Sequence, residues 1–356
     1  MSYKSLDPQD FLVSDDTITA PCWTSLTNPI TALYTSSVQV AGTSGNYYLN
    51  IYNSDPSIDS SADIQFNISY GNTNGSGSLL YDAGINGLSP SRTVYGQFRN
   101  LIYGDENTQF SFSSVTPTQQ DFYAITIDRA RFKESLFPGS LNLTLYSASR
   151  AITLTDNSLD TTTVTYCDAG RVFQIVSGSN GTAVSTANSA LGAVSNGMTI
   201  SGSYGLFLPD IGTIILNAPA LDLPFASGGI ALNTVRTSNV NAANPSRLYS
   251  TGSGTRGLTT GSYTSSFSLN SQETITSDFV FCRARNAEFN YTENPSFISG
   301  STGAVLYDLF VNSPTTYITT IGLYNDSNEL LAVAKLSKPL KKDFTKEALV
   351  RVKLDF

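Results

Sequence analysis

Histidine is the side chain most enzymes use to move protons, and this 356-residue chain has none. Its absence removes Ser–His–Asp and Cys–His catalysis, histidine metal sites and histidine pH switching together. Cys22, Cys167 and Cys282 are odd in number and far apart, with no CxxC spacing. That pattern fits neither a disulfide framework nor a zinc site; it predicts buried free thiols in a protein assembled in a reducing cytoplasm. No GxxxxGK[ST] and no helix-opening GxGxxG is present, and the Gly-Ser-Gly stretches at Gly75 and Gly252 read as turns. Carboxylates alone can hydrolyse glycosides. Asp55, Asp59 and Asp63 recur every four residues, and Asp15 stands beside Asp16. The first set sits in a Pro/Ser loop before an apolar run, where aspartates cap turns. Asn325-Asp326-Ser327-Asn328-Glu329 is rich in oxygen but lacks the length of an EF-hand loop, so a hairpin turn explains it better than calcium. No catalytic, cofactor-binding or metal-binding residue is nominated, no cofactor is expected, and the chain is read as a non-enzyme.

The elements around these residues point the same way. Charged residues make up 13% of the chain, about half the usual share, while nineteen Tyr and nineteen Phe supply core volume. β-branched and aromatic residues punctuated by Gly, Asn and Ser predict a mainly β fold with a few short helices, in antiparallel, sandwich-like sheets. The clearest element is Pro314–Pro339. Two apolar runs, Tyr317–Tyr324 and Leu330–Leu336, flank a polar tetrapeptide whose residues tolerate φ > 0, which predicts a β-hairpin bounded by the two prolines. Two strands this apolar need another layer to cover them.

In chain order, residues 1–45 read as an extended arm with anchor side chains, Trp23 among them, lying along its own body or reaching a neighbour. Residues 46–150 read as a β-rich domain. Ile64, Phe66, Ile68 and Tyr70 alternate there with polar residues. A helix is predicted from Ser89-Pro90-Ser91 to Gly104, with Val94, Phe98 and Leu101 on its inner face. Residues 151–290 read as a second β-rich domain, with a helix over Thr182–Asn196 and a hairpin turning at Pro209-Asp210-Ile211-Gly212. A long polar loop with few apolar anchors, or a segment that orders only against a partner, is expected over 225–264. Residues 291–356 hold the opening hairpin and a last strand, where Val350, Val352, Leu354 and Phe356 alternate with charged residues.

Net charge is −8, and it is uneven. From Lys335 to Phe356, seven basic residues face three acidic ones, a net of +4 that leaves −12 for the rest. The acidic balance offers no footprint for nucleic acid. No apolar run is long enough for a membrane span, and the opening decapeptide lacks the signature of a signal peptide. The candidate partner-docking residues are Ile318, Ile321, Leu323, Leu331 and Val333 on the hairpin, Lys338, Lys341, Lys342 and Lys346 in the basic tail, and Trp23 in the arm. Whether the hairpin's apolar residues face a partner or the protein's own core is left open.

Several blocks are familiar together: Ser89-PSRTVYGQFRNLIYG, Asp121-FYAITIDRARFKESLFPGSLNLTL, Tyr204-GLFLPDIGTIILN, Phe279-VFCRARNAEFNYTENPSF and Tyr317-ITTIGLYNDSNELLAVAKLSKP. With them the chain resembles virion structural proteins of large contractile-tailed phages, especially T-even-like cyanophages. The resemblance spans nearly the whole chain. It implies a late protein that is a tail or baseplate component, with a baseplate wedge subunit as the preferred placement and the neck and tail fibres left open. It also implies other tail proteins as partners, several copies per virion, a homo-oligomer as an open alternative, and no catalytic residues. A tail-fibre or glycan-binding module of the virion is the rival reading.

Overall fold

Short runs of β-branched and aromatic residues, each broken by Gly, Asn or Pro, produce many short strands and few helices. The computed structural model describes residues 3–35, 48–75, 91–105, 107–110, 112, 120–160, 164–184, 204–236, 243–251, 256–260, 264–291 and 294–355. Its strands are β1 (Phe11–Pro21), β2 (Ile30–Ala32), β3 (Tyr34–Thr35), β4 (Tyr48–Tyr52), β5 (Ile64–Asn72), β6 (Asp121–Ile127) and β7 (Ser135–Leu136). They continue with β8 (Asn142–Ser147), β9 (Arg150–Asp156), β10 (Thr165–Cys167), β11 (Gly170–Ser179), β12 (Thr182–Ala183), β13 (Gly205–Leu208) and β14 (Thr213–Asn217). The last are β15 (Arg256–Gly257), β16 (Thr264–Ser268), β17 (Asn270–Ala284), β18 (Thr316–Tyr324), β19 (Leu330–Lys342) and β20 (Ala348–Asp355). The helices are α1 (Ser91–Tyr103), α2 (Ala218–Asp222), α3 (Asn244–Tyr249) and α4 (Asp308–Asn312). The expected mainly β, antiparallel class holds.

Two compact units emerge, Ile18–Glu273 and Met1–Thr17 with Thr274–Phe356, and the chain passes from one to the other within β1 and within β17. The larger unit is built on one 14-stranded sheet in the order β2-β16-β8-β9-β11-β13-β14-β6-β5-β4-β3, with β10, β12 and β15 attached at its side. Its two end strands, β2 and β3, are consecutive in sequence with only Leu33 between them, and the sheet is nearly closed and barrel-like. The expected boundary at residue 150 falls in the tight turn between β8 and β9, which pair from Leu143 with Leu154 to Ser147 with Arg150.

Strands β6, β13 and β14 are apolar on both faces, and each face meets a different core. Tyr123, Ile125, Phe207, Ile214 and Leu216 join the main cluster with Trp23, Phe66 and Phe267. Phe122, Ala124, Leu206 and Ile215 join a second cluster under α1 with Tyr95, Phe98, Ile102, Phe110 and Phe112. Such double burial is why these strands read as continuous apolar runs instead of alternating ones. Helix α1 lies where the sequence predicts it and stops at Gly104, whose φ is +62°. Its inner face is rotated from the expected one: Tyr95, Phe98 and Ile102 are buried while Leu101 is exposed. Both sets have helical spacing, and the aromatic partners Phe110 and Phe122 select the first.

Other expectations are corrected in the same unit. Of the two courses open to the arm, Cys22, Trp23, Ile30 and Leu33 take the one along its own body and join the main core. The 225–264 segment supplies Ile230, Leu232, Leu248, Tyr249 and Leu258 to that core, and α3 forms within it. The hairpin at Pro209–Gly212 is present, with Gly212 at φ +66°, and Ala218–Asp222 after it is a short helix. Of the helix predicted over Thr182–Asn196, Thr182–Ala183 is strand and residues 185–196 lie outside the described ones.

In the smaller unit β17 pairs with β20 from Ser277 and Asp355 to Ala284 and Ala348. Ala348 and Val352 are buried and Val350 and Leu354 half-buried, which is the predicted terminal strand. The hairpin β18–β19 forms a separate two-stranded sheet.

Candidate functional site

The polar turn of the hairpin is self-sufficient. Asn325 Oδ1 accepts from the backbone N–H groups of Ser327 and Glu329, the Asn325 side-chain amide donates to Glu329, and Asn328 takes φ +61°. These contacts turn Asn325 and Glu329 onto the loop's own backbone and side chains, so the tetrapeptide is a turn. β18 and β19 pair from Thr316 with Lys342 to Tyr324 with Leu330, with the register shifting between Ile318 and Thr320. Across that shift Leu336-Ser337-Lys338-Pro339 has no one-to-one partners, and the strand resumes beyond Pro339. Pro339 therefore marks a bulge, a place where the missing N–H is tolerated, instead of the end of the hairpin.

The hairpin's two faces differ. Ile321 and Leu323 lie opposite Ala334 and Ala332, and all four are half-buried. Gly322 lies opposite Val333 on the other face, with Tyr324 and Leu330 closing over the glycine. There Leu330 is 52%, Val333 54% and Leu331 68% exposed. Ile318 is half-buried. In the segment before it, Leu306, Tyr307, Leu309 and Val311 are exposed too, Leu309 at 85%. Water contact at this many apolar side chains costs about 25 cal/mol for each Å² left uncovered.

Two nominated docking residues are corrected. Trp23 is buried in the larger unit, its ring centroid 4.9 Å from that of Phe267 and 6.2 Å from that of Phe66, so it fills the core. Lys342 is fully buried, and its ammonium donates to Asn286 O at 2.9 Å, Asn290 Oδ1 at 2.9 Å and Asp343 O at 3.3 Å. Three acceptors match its three donors, so it ties the hairpin's base to the 286–290 loop. Lys338, Lys341 and Lys346 are exposed.

The polar cluster that sequence reasoning missed lies in the larger unit. Asp121, at the start of β6, is buried and meets Arg236 Nε at 2.9 Å and the Tyr70 hydroxyl at 3.0 Å. The same guanidinium reaches Asp222 at 2.7 Å. Asp222 accepts from the backbone and hydroxyl of Thr234, and the Thr234 hydroxyl sits 3.0 Å from that of Tyr123. Burial raises the Asp121 carboxyl above its usual range, more than Arg236 and Tyr70 lower it. Burial likewise raises the phenols of Tyr70 and Tyr123. These partners come from distant parts of the chain, and no spacing rule joins them. Their hydrogen bonds close on one another, so the cluster clamps the 222–236 segment onto β5 and β6.

Asp55 and Asp59 act as turn caps, as expected, whereas Asp63 lies 3.9 Å from Arg131 and Asp15 accepts from the Thr276 hydroxyl. Asp55 accepts from the backbone and hydroxyl of Ser57, and Asp59 from those of Ser61. Among the described residues, no group of three His, Cys, Asp or Glu is placed to hold a metal ion, and no helix is long and apolar enough to cross a membrane. Compared with known proteins, the chain matches no family model, no curated protein and no solved structure.

Proposed function

We propose that this chain is a structural subunit of a contractile phage tail, placed in the baseplate wedge, whose hairpin β18–β19 docks on other virion proteins. The observation that carries the reading is the hairpin itself, a separate two-stranded sheet with apolar side chains left open on one face. Isolated two-stranded hairpins are marginal in water, and open apolar surface of this kind marks interaction sites. The resemblance in sequence to virion structural proteins supplies the setting, and the exposed Lys338, Lys341 and Lys346 supply a basic flank for an acidic neighbour.

The test uses Leu331→Asp combined with Val333→Asp. Both positions are exposed, so the fold should survive while the apolar contact is lost. Truncation from Lys335 would be a poorer test, because it also removes β20 from its pairing with β17. Phage carrying the double substitution should yield tails lacking this subunit. Normal incorporation would sink the docking role. Normal incorporation together with binding of the purified protein to host envelope polysaccharide would move the reading to a receptor-binding module.

A further inference from the structure

A strand edge without a neighbour presents a row of free N–H and C=O groups, and proteins blunt such edges with charge or proline. Among the described residues the smaller unit has four edge strands: β1 and β20 flank β17, and β18 and β19 pair with each other. Three of them are blunted. β1 carries Asp15, Asp16 and Pro21; β20 carries Arg351, Lys353 and Asp355; β19 carries Lys335, Lys338, Pro339 and Lys341. β18, which reads TYITTIGLY from Thr316 to Tyr324, has neither a charge nor a proline over its nine residues.

We propose that β18 pairs along this open edge with β18 of a second copy of the chain, antiparallel and centred on Thr320. That register sets Thr316 against Tyr324, Tyr317 against Leu323, Ile318 against Gly322 and Thr319 against Ile321. Two of these are aromatic residues beside β-branched or aliphatic ones, a favourable cross-strand pairing, and no like charges meet anywhere along the strand. The same operation on β19 would bring lysines together. The product is a four-stranded sheet, β19-β18-β18-β19, which passes the three-strand threshold that a lone hairpin misses. Its outer edges are the two lysine- and proline-bearing β19 strands, so growth stops at two copies. The contact uses the same patch on both partners, as a twofold interface requires. It leaves the apolar face at Leu331 and Val333 free, and it stands apart from the tail reading.

The experiment is the mass of the purified full chain in solution, by sedimentation or light scattering, for wild type, Thr320→Glu and Thr320→Val. Thr320 is exposed and lies opposite Lys335 within its own hairpin, so glutamate there suits the hairpin while placing like charges opposite each other at the centre of the paired edges. Wild type and Thr320→Val should show twice the 38.1 kDa of one chain, and Thr320→Glu should fall twofold to that mass. A single-chain mass for wild type, a twofold mass that survives Thr320→Glu, or loss of association in Thr320→Val would each overturn the proposal. Tail incorporation is measured on particles and self-association on purified protein, so failure of one reading is distinguishable from failure of the other.

Discussion

Two antiparallel strand pairs in this molecule are built from nearly the same residue types. Thr213-Ile214-Ile215-Leu216-Asn217 of β14 pairs with β6 and is buried throughout. Thr316–Tyr324 of β18 pairs with β19 and has no buried residue. Local propensity treats the two alike. The difference lies in what stacks on them: β6 and β14 have an aromatic core on each face, whereas the hairpin is a sheet of two strands. Apolar content alone therefore does not separate a core strand from an exposed one; the layers around it do.

The largest expected effect lies on the barrel side of that contrast. Trp23→Ala should destabilise the larger unit by about 4 kcal/mol, through lost transfer energy and the cavity left beside Phe66 and Phe267. Urea unfolding followed by circular dichroism measures it, and a loss under about 1 kcal/mol would mean the site collapses freely.

Next comes a comparison within one strand. Lys342→Met should cost about 2 kcal/mol, because three acceptors around the buried ammonium lose their donors. Lys338→Met, four residues earlier and exposed, should change stability by less than about 0.5 kcal/mol. Hydrogen exchange of the β17 and β20 amides reads the smaller unit directly, which matters because two units need not unfold together. Equal effects at the two lysines would erase the distinction.

A third test uses pH. Asp156 is fully buried, and its carboxylate accepts from the backbone of Gly139 and Ser158, with no cation paired to it among the described residues. Burial raises its carboxyl above the unfolded value, so the folded protein holds that proton more tightly than the unfolded chain. Its contribution to stability is complete below about pH 3.9 and is lost as pH rises through the raised value. Asp156→Asn keeps an oxygen for both donors, so it should gain on wild type by about 1 kcal/mol between about pH 4 and 8. Urea midpoints across that range check the trend, and the opposite slope would show that hydrogen bonding outweighs burial.

The smallest effect belongs to the hairpin. Val333→Thr and Leu331→Ser should each move the stability of the isolated chain by less than about 0.5 kcal/mol, because both side chains already meet water. A cost near that of a core residue would mean the open face is covered in solution.

Legibility followed the range of the forces involved. The turn at Asn325–Asn328, the stop of α1 at Gly104 and the period-two strand β20 depend on neighbours in sequence, and all three stand where the residues put them. The inner face of α1 was misread by one position, because Leu101 and Ile102 are equally apolar and only the packing of Phe110 and Phe122 distinguishes them. The Asp121–Arg236–Asp222 clamp left no local trace, since its members meet only when β5, β6 and the 222–236 segment fold together. Trp23 and Lys342 were read as surface anchors from their sequence context, and both turned out to be buried.

By itself the sequence determined the class: β-rich, antiparallel, without histidine chemistry, and with one hairpin whose turn closes on its own side chains. Those properties come from backbone preferences and residue inventory, which act over a few residues. Only the tertiary structure decided that β2 and β3 end one nearly closed sheet on either side of Leu33. It also decided that Lys342 is enclosed while Lys338 is not, and that β18 pairs only with β19 among the described residues. Burial is a relation between distant segments, and a residue's own type does not say which segment will lie over it.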